Sequence, residues 1–403
     1  MFSYEDHFSA ATDKLRRERL YRVFRELSRA PGEFPRARWR SPSGWRDVTV
    51  WCSNDYLGMS QHPAVLAAAH EALAHYGAGA GGTRNISGTT DLIAALESEL
   101  ADLHNREAAL VFSSGYVANE TSLATIARAL PNCVVLSDAA NHASMIQGIR
   151  ASGRPCRVFR HNDVAHLDEL LRNIDPGTPK IVAFESLYSM DGDIAPLREL
   201  LETAKRHSAL TFVDETHAVG VHGPRGGGVL EAERLLPLAD VVQGGLGKGY
   251  GTVGGFITSS RAIVDFVRSH AHGFIFTTAL PPAVAAAALA SVRHLKGSSA
   301  ERAALASRVT SLRAACERAR IPLAPTNSQI LPLIVGDAAR CHTLADRLLE
   351  RHSVYLQAIV FPTVPRDAAR LRITPSPLHT DAQQSALITA LASEWAELTQ
   401  QAA

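Results

Sequence analysis

From Ala109 onward, short apolar runs recur along the chain, each followed by a stretch whose apolar positions are spaced as on a helix face. The runs are Leu110-Val-Phe112, Val134-Val-Leu136, Cys156-Arg-Val-Phe159, Ile181-Val-Ala-Phe184, Thr211-Phe-Val213 and Val241-Val242. Apolar residues at nearly every position suit strands covered on both faces. Their alternation with helical stretches predicts a mostly parallel sheet in a large α/β domain. Gly254-Gly-Phe-Ile-Thr258 predicts one more strand, at the antiparallel edge of that sheet. Upstream, Leu15, Leu20, Phe24 and Leu27 mark a helix over about 9–29, followed by a short strand around 48–52, a helix from about His62 and a glycine-rich run, Gly77 to Gly88. Beyond Pro281-Pro282 the pattern changes to helices over about 282–296 and 299–319, strand near 329–335, helix near 340–351 and a terminal helix from about 380. The expected organisation is an N-terminal helical segment (1–46), a large α/β domain (47–280) and a small C-terminal α+β domain (281–403).

Composition narrows the function. Forty-one basic and forty acidic residues leave a net charge of +1 with no basic block, which argues against a nucleic-acid partner. Cys52, Cys133, Cys156, Cys316 and Cys341 are odd in number and widely spaced, fitting neither a disulfide framework nor a zinc site. A reducing cytoplasm is expected, and no metal. The first residues lack an apolar targeting core, and the longest apolar stretch, Ala279 to Val292, is broken by prolines, so no membrane partner is expected either.

The candidate chemistry centres on Lys248, set among glycines in Gln243-Gly-Gly-Leu-Gly-Lys-Gly-Tyr-Gly251, and on Asp214, which ends the run Leu210-Thr-Phe-Val-Asp214. An unencumbered lysine can bond to an aldehyde, and a carboxylate at a strand end can keep a pyridinium nitrogen protonated. The pair points to pyridoxal phosphate. His142 follows another predicted strand end and could stack on the ring and exchange protons. Ser114, Gly115 and Tyr116 sit where a strand enters a helix, a place for backbone N–H groups to hold a phosphate, with Thr277 as a further hydroxyl. Two rival motifs fail. Gly77-Ala-Gly-Ala-Gly-Gly82 matches G-x-G-x-x-G but follows a helix instead of a strand, and Gly247-Lys248 lacks both the first glycine and the Ser/Thr of a phosphate-binding P-loop.

Several long motifs carry a resemblance: Val50-Trp-Cys-Ser-Asn-Asp-Tyr-Leu-Gly-Met59, Gly77 through Thr90, Phe159-Arg-His-Asn-Asp-Val164, Phe184 through Asp193, and Phe361-Pro-Thr-Val-Pro-Arg366. Over about 14–398 the chain resembles the α-oxoamine synthases, fold-type I pyridoxal phosphate enzymes with a large, mostly parallel domain and a smaller C-terminal α+β domain. Within that family it is most similar to the branch that condenses glycine with succinyl-CoA, giving 5-aminolevulinate, CoA and CO2 for tetrapyrrole or natural-product synthesis. The resemblance implies an obligate homodimer with shared sites. Lys248 would bond to the cofactor and act as base, Asp214 would pair with the ring nitrogen, His217 would bond the ring hydroxyl and His142 would stack. Asn54, Ser189 and Arg372 would hold the amino-acid carboxylate, with Ser137 beside them. Arg22, Thr83, Asn85 and Ile86 would shape the acyl pocket, Thr363 would belong to a covering loop, and Phe276 with Thr277 would reach the phosphate of the other subunit. A free succinyl carboxylate calls for a guanidinium, so Arg22 and Thr83 would choose the acyl group. Gly245 stands where the family usually has threonine, removing a hydroxyl near the phosphate. Alternatives are a relative using a neutral acyl-CoA, a specialised synthase that also cyclises 5-aminolevulinyl-CoA to an aminocyclopentenone, and a catalytically poor binding partner.

Overall fold

In the computed structural model, which describes residues 2–400, the recurrent apolar runs assemble into one seven-stranded sheet. From edge to edge its strands are Ala108–Phe112, Gly255–Ser259, Val241–Gly245, Leu210–Asp214, Lys180–Glu185, Val134–Asp138 and Cys156–Phe159. All pairings from Val241–Gly245 onward are parallel, and only Gly255–Ser259 runs against its neighbours. That reversed strand is not the edge predicted from sequence. It lies between Val241–Gly245 and Ala108–Phe112, because the first strand of the domain closes the sheet outside it. The helices Gly115–Ala129 and Ala143–Ser152 cover part of the sheet, and Leu123, Ile126 and Ile149 pack with Val135, Phe212 and Ile257 in one buried cluster.

The chain divides into two compact units, Asn54–Ser189 with Asp193–Ala303, and Met1–Ser53 with Met190–Gly192 and Ala304–Ala403. The expected boundary at 280/281 therefore falls some twenty residues before the division at 303/304. Helix Pro282–Gly297 packs on Pro63–Tyr76 and Asp91–Leu103, members of the larger unit. Its buried face is mostly alanine (Ala285, Ala286, Ala287, Ala288), which lets helix axes approach closely and ties it to those partners.

The smaller unit contains two sheets. Arg36–Ser41 and Gly44–Val50 form an antiparallel hairpin flanked by Leu27–Ser28 and Val354–Tyr355, and Leu331–Gly336, Ala369–Ile373 and Ala358–Ile359 form the second sheet. Arg36–Ser41 alternates exposed and buried side chains, as a half-covered strand should. Helices Ala338–His352 and Asp381–Gln400 contribute Leu344, Leu348, Leu387 and Leu391 to a core that also holds Leu331 and Leu371. Leu27–Ser28, Arg36–Ser41 and Gly44–Val50 are thus strands, and 1–46 is not a helical segment.

The N-terminal helix also stops early, spanning Tyr4–Arg17 in place of 9–29. Arg19 adopts φ 56°, its N–H bonds to Arg16 O at 3.1 Å, and the N–H of Leu20 bonds to Leu15 O at 2.8 Å. These two bonds around a left-handed residue make a Schellman stop. Leu20 then enters the core of the smaller unit, so burial of one leucine outweighs continuation of a helix with no buried residue.

Candidate functional site

In-register parallel pairing brings functional residues to one edge. Glu185 is the register partner of Asp214, and Asp214 of Gln243, so the carboxyl ends of these strands line up beside one another. A cavity of about 240 Å³ opens there, at the end of a parallel sheet where α/β proteins commonly hold ligands. Lys248, Asp214, His142 and His217 line it. So do Asn54 and the Ser114, Gly115 and Tyr116 turn.

Asp214 is buried and held from two sides. Asn119 Nδ2 donates to Oδ2 at 2.6 Å, and the backbone N–H of Thr216 donates to Oδ1 at 2.7 Å. Each oxygen keeps an acceptor position, so a fixed carboxylate faces the cavity. Asn119 Nδ2 also donates to Ser144 Oγ at 3.0 Å, and that hydroxyl lies 2.7 Å from His142 Nδ1. Because the N–H of Ser144 also points at His142 Nδ1, at 3.2 Å, this nitrogen is the acceptor and the neutral ring carries its proton on Nε2. Burial, followed by the charge of Lys248, lowers the His142 pKa despite the opposing field of Asp214, which favours that neutral ring. Glu185 is pushed in the other direction: burial and the neighbouring Asp214 raise its carboxyl well above the usual range, while Oε1 accepts the His142 N–H at 2.6 Å.

Lys248 Nζ lies 2.8 Å from His217 Nε2, and His217 Nδ1 lies 2.7 Å from Tyr56 Oη. Both ring nitrogens of His217 therefore face protein groups. The glycines around Lys248 serve close packing. A side chain at Gly249 would stand 2.3 Å from Val219 O, and one at Gly251, where φ is 66°, would meet Ser60 N at 2.3 Å. At Gly245 an added Cβ would lie 2.8 Å from Thr216 Cγ2, so Thr216 fills the space that a threonine at 245 would need. Across the cavity, Ser114 Oγ accepts the N–H of Val117 at 3.1 Å and caps helix Gly115–Ala129, leaving the first N–H groups of a long helix beside the cavity. The fixed carboxylate, the unhindered lysine and this helix start together fit an aldehyde cofactor that carries a ring nitrogen and a phosphate.

The remaining predicted residues lie elsewhere. In the smaller unit, Arg22 Nη2 donates to Thr363 Oγ1 at 2.9 Å, and both line a cavity of about 400 Å³ with Arg372 and Gln357. Arg22 follows the Schellman stop instead of riding on a helix. In the larger unit, Thr83 Oγ1 donates to Asn85 Oδ1 at 2.8 Å, while Ile86 is 76% exposed and Phe276 is 74% exposed. Thr277 lines a separate small crevice with Arg84. Ser137 is buried and accepts from Asn141 Nδ2 at 2.9 Å, so it braces its own strand end outside the lining of the Lys248 cavity. Ser189, at the edge of the larger unit, is likewise not part of that lining. Asn119, Ser144, Glu185 and Thr216 were not anticipated. Asn119 and Ser144 are polar residues buried in helices, a signal that a search centred on strand ends and glycines passes over.

The family model for aminotransferase class I and II matches residues 46–391. The 5-aminolevulinate synthase of Bradyrhizobium diazoefficiens is 51% identical over 395 residues, covering 98% of this chain and 97% of the relative. That of Rhizobium meliloti is 53% identical over 392 residues, 97% of each. Among solved structures, a serine palmitoyltransferase from S. paucimobilis, with bound PLP and myriocin, superposes with a TM-score of 0.90 at 32% identity, covering 98% of both chains. With a family model matched over most of its length and relatives this similar from end to end, the chain belongs to the class I and II aminotransferase family, among its 5-aminolevulinate synthases.

Proposed function

We propose that the chain condenses glycine with succinyl-CoA, releasing CoA and CO2 and giving 5-aminolevulinate, with pyridoxal phosphate bound at Lys248. The observation that carries this reading is the single cavity in which Lys248, Asp214 and His142 stand together with an uncrowded helix start. When bound, the cofactor supplies an electron sink for a carbanion next to the amine. Asp214, fixed by Asn119 and Thr216, holds the proton on the ring nitrogen and so maintains that sink. Lys248 Nζ, once the amine of glycine has taken its place at the aldehyde, would remove the α-proton of glycine, with His217 Nε2 at 2.8 Å to steady it. His142, kept neutral with its proton on Nε2, covers the ring and offers that proton during loss of CO2. The N–H groups of Gly115 and Tyr116 hold the phosphate, joined by Phe276 and Thr277 of the partner subunit. Asn54, which lines the same cavity, orients the glycine carboxylate.

Arg22 recognises the free carboxylate of the succinyl group, with Thr363 holding its guanidinium in place. Thr83, Asn85 and Ile86 complete this acyl pocket across a homodimer interface. The exposure of Ile86 and Phe276, whose segments are joined by the Thr83 and Thr278 bridge, supports a covered surface there. Cytoplasmic residence is part of the same reading.

Purified holoenzyme given glycine with succinyl-CoA or acetyl-CoA tests the assignment: turnover should favour succinyl-CoA. Arg22→Leu should raise KM for succinyl-CoA by about thirtyfold or more, since breaking one desolvated charge pair costs roughly 2–5 kcal/mol. The glycine-induced absorbance change should persist. Preference of the parent enzyme for acetyl-CoA would favour the neutral-acyl alternative.

A further inference from the structure

Away from the Lys248 cavity, His62 meets two side chains more than 200 residues further along the chain, His294 and Glu301, within the larger unit. His62 is the N-cap of helix Pro63–Tyr76, His294 lies in the last turn of Pro282–Gly297, and Glu301 lies in the first turn of Ala300–Arg318. The two imidazole centroids are 4.2 Å apart with a tilt of 42°. His294 Nε2 is 2.6 Å from Glu301 Oε1, and one donor atom from each of the three residues lies within 4.8 Å of the other two. The other oxygen of Glu301 accepts from Ser298 Oγ at 2.6 Å, which fixes the carboxylate. All three residues are partly buried, with a path to solvent.

We propose that His62, His294 and Glu301 bind one divalent transition-metal ion of the zinc class. Two imidazoles and one carboxylate form a donor set suited to Zn2+, Ni2+ or Co2+ and poorly suited to Mg2+ or Ca2+, which prefer oxygen ligands. Three protein ligands leave room for water to complete the coordination. Ser298 plays the supporting role that carboxylate ligands usually receive from a neighbouring donor.

The charge states agree with this assignment. Burial and then His294 lower the His62 pKa, so its ring offers a lone pair near neutral pH. Burial alone would raise Glu301, but hydrogen bonds from His294 and Ser298 outweigh it and bring the carboxyl down to about 2. Coordination would take up a lone pair on each imidazole and the negative charge of the Glu301 carboxylate that Ser298 holds in place.

The test uses chelator-dialysed holoenzyme, titrated with Zn2+ alone and then Co2+ alone, by calorimetry and absorbance. One ion per chain is expected, with visible Co2+ bands that His coordination shifts and no competition from excess Mg2+. His294→Gln and Glu301→Gln, each confirmed folded by an unchanged melting temperature without metal, should weaken Zn2+ binding at least tenfold, and the double variant should abolish it. His62→Asn retains a side-chain cap for the helix and should weaken binding to the same extent. Absence of saturable binding, or equal binding by the folded double variant, would overturn the proposal; the latter would place the ion on other surface groups. None of these outcomes depends on turnover, so failure here is separate from failure of the proposed reaction.

Discussion

Asn119 does more at the site than its neutral side chain suggests. One amide nitrogen holds Asp214 at 2.6 Å and Ser144 at 3.0 Å, and Ser144 in turn fixes the His142 tautomer. Hydrogen bonds to charged groups contribute roughly 1.5–3 kcal/mol. Asn119→Ala should therefore lower kcat by about tenfold to a hundredfold with a smaller change in KM, and it should shift the pH profile of kcat because His142 loses its orientation. An unchanged pH profile with a lower melting temperature would mark Asn119 as structural only. Gly245 and Thr216 form a second coupled pair. A Cβ at 245 would crowd Thr216 Cγ2 at 2.8 Å, so Gly245→Thr should cost about 1–3 kcal/mol by overpacking. Most of that cost should vanish in a Thr216→Ala background. A double-mutant cycle in urea, with cofactor affinity measured alongside, reads the coupling, and simple additivity would refute it. The sequence motif exposed Gly245 as unusual. Only the structure showed which neighbour fills the gap.

Among elements, the loops that follow adjacent strands are fastened by His161. Its Nδ1 meets Asp138 Oδ1 at 2.9 Å at the end of Val134–Asp138, and its Nε2 meets Asp193 Oδ2 at 2.9 Å. Burial opposes the charged ring, but the two hydrogen-bonded carboxylates prevail and raise its pKa from 6.5 to about 10. A pKa raised on folding stabilises the protein fully below the unfolded value and loses that contribution as pH climbs through the folded one. The advantage of the parent chain over His161→Gln in urea melts should thus be largest near pH 6 and shrink as pH rises toward 10. A constant difference across that range would show that His161 acts without its charge. Element order was readable because buried parallel strands announce themselves as short apolar runs between helices. The place of Gly255–Ser259 was not, since its apolar content says nothing about which strand closes outside it. The early end of the first helix was hidden as well. An arginine at φ 56° carries no left-handed signature in sequence, and only the burial of Leu20 explains the turn.

At the scale of the whole molecule, legibility follows chain distance. Lys248 and Asp214 could be paired by eye because each sits at a punctuated strand end or glycine loop. His62, His294 and Glu301 could not, because their meeting depends on the packing of Pro282–Gly297 against Pro63–Tyr76. The residues expected to meet the substrates divide in the same way: Arg22, Thr363 and Arg372 gather in the smaller unit, whereas Ile86 is exposed on the larger one. The buried chain from Asp214 through Asn119 and Ser144 to His142 also has a directional consequence. An amide NH2 gives both its hydrogens and accepts none, so this chain transmits orientation while acting as an insulator to protons. Traffic through the rear of the imidazole is closed, and every proton that His142 exchanges must cross at Nε2.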